Sequence, residues 1–401
     1  MNTITFRSSY WNGKKGEITM AKDVFAIYFP SWHPDKHYEK WYGKGFCEWE
    51  LVKTTKPLFE GHYQPRRPLW GYFDESDPEM MAKQIDIAAD NGLTGFIFDW
   101  YWYSGEQFLE KPLNEAFLNA PNRNRLKFAL MWANHNWGRW PALDDDDHQA
   151  MNGNVNQSSN LYLEIKHSEE DLRRVVDFCS EKYFRCENYW KIDGKPVYSF
   201  FSTTRLFEAI PPEDVVRIMN DQAKKNGFPG LYLLINIGCC NDNKRFCGWG
   251  RVPRMKEAGF DAVFAYNIVA PSYYHELPQE RPVFDYSGMM EAQEYCWAKI
   301  EEGGLPHFPS VTMGLDVSPR WSRSVKFPMD YVKLGYCPIC TDVLPEKFGE
   351  VLEKALKKDA PAVIINAWNE WTEGMALLPD ELYGTGYLDT IKKVTDKVNG
   401  K

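Results

Sequence analysis

Short apolar runs, many of them rich in β-branched and aromatic residues, alternate along the chain with amphipathic stretches of helical spacing. The runs predict eight strands, at residues 24–29, 94–98, 126–131, 195–201, 231–237, 262–266, 309–315 and 362–367. A helical pattern follows each strand, at 77–92, 107–119, 169–185, 213–226, 253–258, 289–300, 346–357 and 387–398. Because buried strands that alternate with helices are typical of parallel sheets, we predict an α/β fold: a single (β/α)8 TIM barrel with long β-to-α loops at its C-terminal face.

An open, doubly wound sheet is the alternative architecture. It is disfavoured because no Gly-rich phosphate loop follows any predicted strand. The chain contains no repeat with a period of about 20–50 residues and no change of composition that would mark a second domain. We therefore divide its 401 residues into an N-terminal extension, 1–20, and one catalytic barrel, 21–401.

Composition narrows the class of partner. The formal net charge of -9 argues against nucleic acid or an anionic membrane as the main partner, and no run of about 18 apolar residues could span a membrane. Aromatic residues make up 15% of the chain, and many of its 16 Trp lie in polar loops rather than in periodic apolar runs. Exposed or half-exposed indoles stack on sugar rings, so the expected partner is an oligosaccharide or polysaccharide substrate.

The nine Cys form no regular framework, which indicates reduced thiols and a cytoplasmic protein. Residues 1–20 contain no apolar signal-peptide core, although a processed periplasmic or extracellular form would look the same. Two loose Cys groups, Cys337–Cys340 and those within 239–247, lack the second well-spaced pair or the adjacent histidines of a zinc site. We expect no metal and no cofactor, and the oligomeric state stays open.

Polar and aromatic residues cluster where the predicted strands end, and the carboxyl ends of the strands carry the active site in a (β/α)8 barrel. Amides and carboxylates there can hydrogen-bond sugar hydroxyls, and indoles can stack on the ring. The candidate substrate-binding residues are Trp32, His33, Trp49, Asp99, Trp100, Trp102, Asn134, His135, Asn136, Trp137, Asn236, Tyr266, Asp316, Trp368, Asn369 and Trp371. Each alone has a structural explanation, and a lone His33 is more often a satisfied loop histidine, so it is their joint placement that predicts a sugar pocket.

Two carboxylates, Glu370 and Glu373, follow the last predicted strand and are the candidate catalytic residues. Glycoside cleavage needs a proton donor for the leaving oxygen and a second carboxylate. Residues three apart in a tight turn can lie on one face, and repulsion between them beside indoles would push their pKa values apart. The same spacing is also common on solvated helices, so the pair gains its weight from its position after a strand.

The segment 32–70 is long, dense in aromatic residues and without helical or strand periodicity. Long loops of this kind are usually functional. We expect it to fold over the mouth of the barrel and to contribute Trp32, His33 or Trp49 to a sugar pocket.

Five stretches carry a resemblance to a known family. They are 29–34 (Phe-Pro-Ser-Trp-His-Pro), 41–49 (Trp-Tyr-Gly-Lys-Gly-Phe-Cys-Glu-Trp), 57–65 (Pro-Leu-Phe-Glu-Gly-His-Tyr-Gln-Pro), 132–137 (Trp-Ala-Asn-His-Asn-Trp) and 366–374 (Asn-Ala-Trp-Asn-Glu-Trp-Thr-Glu-Gly). They span most of the chain, and the first three are specific. The chain resembles the WbsX-type proteins of bacterial polysaccharide gene clusters and, more distantly, the family 99 glycoside hydrolases, which are endo-α-mannosidases and endomannanases.

That resemblance implies a (β/α)8 barrel that acts on a complex bacterial, plant or fungal glycan, with an α-linked manno-like sugar favoured. It implies Glu373 as the general acid/base and Glu370 as the base that assists the sugar's own 2-hydroxyl, through a 1,2-anhydro sugar, with net retention and no metal. At His135 the WbsX-type pattern usually has an acidic residue, which leaves the identity of the sugar open.

Two other functions stay open. WbsX-type proteins are often described as glycosyltransferases, here of lipopolysaccharide or capsular polysaccharide biosynthesis, and a transferase would need a nucleotide-sugar site. The only D-x-D pattern lies in the run Asp144–Asp147, which is more typical of a solvated loop. A glycan-binding protein without turnover is the third alternative, and the Glu pair makes it the less favoured one.

Overall fold

Eight parallel strands form the centre of the fold in the computed structural model, which describes residues 22–138, 161–238, 248–268, 283–321, 327 and 339–400. They are β1 (Asp23–Tyr28), β2 (Gly95–Tyr103), β3 (Lys127–Trp132), β4 (Lys195–Phe200), β5 (Tyr232–Asn236), β6 (Ala262–Phe264), β7 (Ser310–Thr312) and β8 (Ala362–Asn366). Each of them overlaps one of the runs that predicted a strand.

The strands pair in parallel in the order β6-β5-β4-β3-β2-β1-β8-β7. The first and last strands join through pairs such as Asp23 with Ala362. A parallel bridge between Val263 and His307 links β6 to the segment that leads into β7, so the sheet nearly closes on itself. The predicted (β/α)8 barrel is confirmed, and the open doubly wound sheet is excluded.

Helices follow the strands along the chain. They are α1 (Lys36–Tyr42), α2 (Trp49–Thr54), α3 (Pro78–Asp90), α4 (Glu169–Lys182), α5 (Thr204–Ala209), α6 (Pro212–Lys225), α7 (Val252–Ala258), α8 (Tyr286–Glu301), α9 (Pro345–Leu356) and α10 (Gly386–Val398). Local sequence explains the start of α3. Asp77 caps it by accepting a hydrogen bond from the backbone N–H of Glu79, and Pro78 occupies the first turn, where no N–H is needed.

Burial on both faces explains why the barrel strands are continuous apolar runs. Residues 24–28 of β1 and every residue of β8 are buried. One face of each strand fills the barrel and the other packs under the helices. The barrel therefore forms a single packed core, and polar side chains collect where the strands end.

The prediction for residues 94–119 is wrong in two places. β2 continues to Tyr103 instead of ending at residue 98, and the chain then turns back into a short antiparallel strand, Glu106–Phe108. That strand, a π-helical turn at Pro112–Ala116 and a 3-10 turn at Phe117–Asn119 replace the helix predicted at 107–119. The physical reason is the Trp-Tyr-Trp-Tyr run at 100–103, because aromatic side chains favour an extended, buried strand.

The segment 32–70 is not devoid of secondary structure, because it contains α1 and α2. Helices of 7 and 6 residues are too short to show a hydrophobic period in the sequence. The predicted extension at 1–20, the run Asp144–Asp147, and Cys239, Cys240, Cys247 and Cys337 lie outside the described residues.

Candidate active site

The segment after β8 carries the two predicted carboxylates on a short, fixed loop. Asn369–Glu370 forms a two-residue strand, Trp371–Glu373 forms a single 3-10 turn, and Gly374 ends it with φ 74°. A Cβ on Gly374 would lie 2.8 Å from Cβ of Asp316 and 3.0 Å from its backbone nitrogen, so only glycine fits. The Asp316 N–H donates to the Glu373 carbonyl at 2.8 Å, which ties this loop to the segment after β7.

Asn369 fastens the same loop to the first strand. Its Oδ1 accepts from the backbone N–H of Phe29 at 2.7 Å, and its Nδ2 donates to the Phe29 carbonyl and to Glu75 Oε1, both at 2.8 Å. The residue is fully buried. Its amide therefore holds the carboxylate loop in place, between β1 and β8.

A guanidinium that was not predicted from the sequence lies between the two carboxylates. Arg320, at the end of a 3-10 turn after β7, forms ion pairs with Glu373 through Nη1 and with Glu370 Oε2 through Nη2, the latter at 3.2 Å. Its Nε donates to the Thr372 hydroxyl at 3.0 Å. The side chains of Arg320, Glu370 and Glu373 are 12%, 3% and 18% exposed. Both carboxylates thus meet one cation at the carboxyl ends of the strands.

A third carboxylate, Glu48, comes from the loop that follows β1. It is fully buried, and its Oε2 lies 3.9 Å from Nη2 of Arg320. The Ser31 and Tyr38 hydroxyls donate to its Oε1 at 2.9 and 3.0 Å, and the Thr372 hydroxyl donates to its Oε2 at 2.9 Å. Burial raises the pKa of the Glu48 carboxyl, against the opposing charge of Arg320 and the hydroxyl donors. The loop after β1 therefore packs over the mouth of the barrel and brings a carboxylate to it.

Glu370 is buried among like charges. Burial raises the pKa of its carboxyl well above the usual range, and the negative charge of Glu373 acts in the same direction. Arg320 opposes this rise, while Glu48 and Asp99 add to it. The protonation state of Glu370 is therefore a balance between one cation and several carboxylates.

Asp99 and Tyr266, both predicted to bind substrate, lie in the same group. The Tyr266 hydroxyl is 3.5 Å from Oε1 of Glu370. Oδ1 of Asp99 is buried and has no hydrogen-bond partner among the described residues. Burial and the charge of Glu373 raise the pKa of the Asp99 carboxyl well above its usual range, which favours its protonated form.

Asp316, also predicted to bind substrate, is held by protein groups. His62 Nε2 and Gln64 Nε2 donate to its Oδ2 at 2.9 and 2.7 Å, and the Ser318 N–H donates to its Oδ1 at 3.1 Å. The Leu58 N–H donates to Nδ1 of His62 at 3.0 Å, so the neutral ring carries its proton on Nε2. Burial opposes ionisation of Asp316, but the hydrogen bond from His62 lowers its pKa below the usual range.

Side chains of β2 alternate between two environments, because successive strand residues point to opposite faces. Trp100 and Trp102 stack with ring centroids 5.5 Å apart and both contact Phe178 of α4. Nε1 of Trp102 donates to Asp171 of the same helix at 3.1 Å. These two indoles lie in the helix layer, and Asp99 is the candidate on this strand that the structure brings to the carboxylates.

Three predicted amides hydrogen-bond the backbone of neighbouring loops. They are Asn134 with Ser202 at 2.7 Å, Asn136 with Ile165 at 2.9 Å and Asn236 with Tyr266 at 2.9 Å. The first and third bonds join segments at the ends of different strands, whereas Asn136 and Ile165 both lie between β3 and α4. These contacts position the loops around the mouth of the barrel.

The indoles predicted as sugar platforms are buried. Trp32, Trp49, Trp368 and Trp371 are each at most 2% exposed. The Trp32 and Trp49 rings lie 4.2 Å apart, and Trp49 lies 5.8 Å from Trp371, so the three form an aromatic layer above the barrel. Trp368 Nε1 donates to Gln84 of α3 at 2.8 Å, which puts this indole between the barrel and that helix. The structure does not present these four rings as open platforms.

The two predicted histidines differ in surroundings. His33 is fully buried, and burial lowers its pKa to about 3. His135 lies at the mouth, with its ring 5.9 Å from that of Trp137 and 5.5 Å from that of Phe201. Its Nδ1 donates to the Asn136 carbonyl at 2.8 Å, and burial lowers its pKa as well. Both rings are therefore neutral at neutral pH, and the charge of Arg320 acts on the ring of His135.

Three residues of this centre, Arg320, Glu48 and Thr372, were not among the predicted site residues. Glu48 and Thr372 lie inside the stretches 41–49 and 366–374, which carry the family resemblance. Arg320 lies in an irregular stretch without a period or motif. The signal that could have found it is physical, because two carboxylates beside indoles need a cation close by.

Within the described ranges, no group of three or more His, Cys, Asp or Glu side chains is arranged to hold a metal ion. None of the helices that the structure describes is both long and apolar enough to cross a membrane.

Comparison with known sequences identifies a family. The profile of the family described as Glycosyltransferase WbsX matches residues 24–391. A curated relative, the uncharacterized protein WxcX of Xanthomonas campestris pv. campestris (strain B100), is 29% identical over 390 residues, which cover 94% of this chain and 50% of the relative. The chain thus spans about half the length of the curated relatives it matches.

Solved structures share the barrel. The GH99 endo-alpha-mannosidase from Bacteroides thetaiotaomicron aligns with a TM-score of 0.52 at 14% identity, covering 94% of this chain and 97% of that one. A protein described as a glycoside hydrolase-like protein aligns with a TM-score of 0.57 at 15% identity, covering 96% and 97%. At such identities the likeness shows the fold alone.

Proposed function

The chain belongs to the WbsX glycosyltransferase family, and we propose that it acts on a glycan as a retaining glycoside hydrolase. The observation that carries the proposal is that Glu370 and Glu373 are ion-paired to one guanidinium at the carboxyl ends of the strands. Hydrolysis needs such a carboxyl pair in one pocket. A nucleotide-sugar transferase needs a phosphate cradle, and no Gly-rich phosphate loop follows any strand in the sequence.

Glu373 is the more exposed carboxyl, at 18%, and acts as the general acid/base. Glu370, deeper in the site, acts as the base for the 2-hydroxyl of the sugar. Glu370 takes the 2-hydroxyl proton, O2 attacks C1, the C1–O bond to the leaving group breaks, and Glu373 donates a proton to the leaving oxygen. Water then opens the 1,2-anhydro ring at C1, Glu373 takes the water proton, and Glu370 returns its proton to O2. Two inversions give net retention.

The substrate is proposed to be an α-linked manno-like sugar within a complex glycan. This choice rests on the likeness to a barrel described as an endo-alpha-mannosidase. Tyr266, Asp99 and His135 are the proposed contacts for the sugar hydroxyls, because Tyr266 and Asp99 lie beside the carboxyl pair and His135 is a polar side chain at the same mouth of the barrel. A protonated Asp99 would donate to a hydroxyl oxygen.

Removal of the acid tests the proposal. Glu373→Gln keeps the shape of the side chain and removes proton donation, so hydrolysis of a glycan that the wild-type protein cleaves is expected to fall ~10²–10⁴-fold with folding intact. Glu381→Gln is the matched control, since Glu381 is exposed and pairs only loosely with Arg67, at 3.8 Å. A substrate without a free 2-hydroxyl should not turn over. Wild-type rates in Glu373→Gln would refute the assignment.

A glycosyltransferase is the second candidate, and the name of the family favours it. In that case a nucleotide sugar is the donor and an acceptor hydroxyl takes the place of water. Calorimetry with a set of nucleotide sugars separates the two functions, alongside a panel of oligosaccharides. Nucleotide-sugar binding without hydrolysis of oligosaccharides would refute the hydrolase proposal and support the transferase. Hydrolysis without nucleotide-sugar binding supports the hydrolase proposal.

A further inference from the structure

One guanidinium lies beside three carboxylates at the centre of the site. Arg320 contacts Glu370 at 3.2 Å, ion-pairs with Glu373 and lies 3.9 Å from Glu48. Its own side chain is 12% exposed, and its Nε is fixed by the Thr372 hydroxyl. Because buried carboxylates without a cation take up protons, the protonation of this group depends on where Arg320 is held.

Arg320 is anchored from both neighbouring loops. The 3-10 turn Ser318–Arg320 follows β7, and the Ser318 N–H donates to Asp316 at 3.1 Å. Asp316 in turn donates through its backbone N–H to the Glu373 carbonyl. The guanidinium is therefore held in one position relative to the carboxylate loop. A cation that controls the protonation of a neighbouring carboxyl must be fixed in this way.

We propose that Arg320 is a positioning residue that, against burial and the neighbouring carboxylates, favours the ionised form of Glu370 and so its action as a base. This inference rests on the proposed hydrolase mechanism, in which Glu370 accepts the 2-hydroxyl proton. Arg320 itself is not proposed to contact the reacting atoms. Its role is exerted through the carboxylate that it pairs with.

The groups that face Glu370 come from five different loops or strands. They are Glu373 on its own loop, Arg320 after β7, Glu48 after β1, Asp99 on β2 and Tyr266 after β6. Burial and the carboxylates all favour the protonated form of Glu370, and Arg320 is the cation that opposes them. Loss of the guanidinium therefore leaves, among these groups, only the long hydrogen bond from the Tyr266 hydroxyl, at 3.5 Å, to favour the ionised base.

The sign of the expected pH effect follows. The ionised form of Glu370 is the active one, so activity is present above its pKa and is lost as the pH falls through it. An opposite charge within about 4–6 Å lowers the pKa of a carboxyl by about 1–3 units. Arg320→Gln is therefore expected to move the acidic limb of the pH profile of kcat/KM upward by about 1–3 pH units.

Three substitutions at Arg320 form the test. Arg320→Gln and Arg320→Met remove the charge with different side chains, so that a failure of one to fold leaves the other. Arg320→Lys restores a cation and is expected to return the acidic limb toward the wild-type pH. Arg125→Gln is the matched control, because Arg125 pairs with Asp86 and with Asp90 of α3, outside the site. It should leave the profile unchanged.

A readout without turnover keeps the inference separate from the proposed function. Isotope-edited infrared titration of the full chain, with the Glu370→Gln spectrum subtracted, reports the ionisation of the Glu370 carboxyl directly. An upward shift of the midpoint in the neutral variants and its reversal in Arg320→Lys support the inference. An unchanged midpoint in Arg320→Gln and Arg320→Met overturns it. If the wild-type protein cleaves no glycan, the hydrolase proposal fails and the infrared midpoint alone decides the role of Arg320.

Discussion

Thr372→Val is the most informative single change, because it removes a hydroxyl that connects two charged groups. The hydroxyl donates to Glu48 Oε2 at 2.9 Å and accepts from Arg320 Nε at 3.0 Å. Thr372 is fully buried, so water cannot replace either bond. Valine has the same shape, and the substitution therefore isolates the loss of the hydrogen bonds.

The magnitude follows from these two contacts. A hydrogen bond to a charged group contributes about 1.5–3 kcal/mol, which gives about 3–6 kcal/mol for the pair. We expect the lower end, about 3 kcal/mol, because Nη2 of Arg320 lies 3.9 Å from the same oxygen of Glu48 and compensates for part of the loss. Unfolding entropy is about 2.1 cal/mol/K per residue, so Tm should fall by about 4 °C for the 401-residue chain.

Calorimetry with two control variants checks this expectation. Thr372→Ser keeps the hydroxyl and loses one buried methyl, a cost of about 1 kcal/mol. Thr395→Val is matched for burial, but its hydroxyl donates only to helix carbonyls, at 2.8 and 3.0 Å, so its loss should cost about 1 kcal/mol. If Thr372→Val lowers Tm no more than Thr395→Val, the coupling of Glu48 to Arg320 through this hydroxyl is refuted.

Two further changes test the framework of the carboxylate loop. Gly374→Ala should reduce both stability and activity, by about 1–3 kcal/mol in the free energy of unfolding, since its Cβ would meet Asp316 at 2.8 Å. Gly71→Ala is the control, because Gly71 has φ 75° and its Cβ would meet no atom within 4 Å. If both variants lose the same stability in urea unfolding, backbone strain explains the whole effect and the contact with Asp316 does not contribute. Asp316→Asn should cost about 3 kcal/mol at pH 7, because the charge is lost and an amide can accept on only one side, so that either the Ser318 N–H or the His62 and Gln64 donors then face its NH2 group. Because folding lowers the pKa of Asp316, its ionisation stabilises the fold fully above its unfolded pKa of about 3.9, and this stabilisation is lost as the pH falls through the folded value. The difference in unfolding free energy between wild type and Asp316→Asn should therefore shrink below about pH 4. An equal difference in urea unfolding at pH 7 and at pH 3.5 would contradict this.

The barrel could be predicted because each strand is buried on both faces and therefore stands out as a short apolar run. The two carboxylates could be proposed for a similar reason, since Glu370 follows such a run directly. In β2 the local pattern of residues does not determine where the strand ends. Its strand was predicted to end at residue 98, and the true end at Tyr103 decides which side chains face the mouth. Because side chains alternate between the two faces of this longer strand, Asp99 lies on one face and Trp100 and Trp102 on the other. The sequence could not show this once the end of the strand was misplaced.

Arg320 could not be predicted, because its partners are distant in sequence. Glu370 lies 50 residues away and is met only after β8 has paired with β1. The burial of Trp32 and Trp49 has a related cause. Trp32 packs against Trp49, and Trp49 against Trp371, which comes from the other end of the chain, whereas a local pattern of polar neighbours suggested exposure. Contacts between loops after different strands leave no local trace in the sequence.

The charged residues of this site are synthesised at different times, because they lie far apart in the sequence. Glu48 is made first, Arg320 much later, and Glu370 and Glu373 last. A carboxylate buried before its cation exists would be uncompensated and costly, so Glu48 is stabilised as a buried ion only once Arg320 has been made. Phe29 and Asn369, 340 residues apart, must then meet to close the barrel. Assembly of the cluster formed by Glu48, Arg320, Glu370 and Glu373 is thus coupled to completion of folding, and a chain that ends before Arg320 holds Glu48 without its cation.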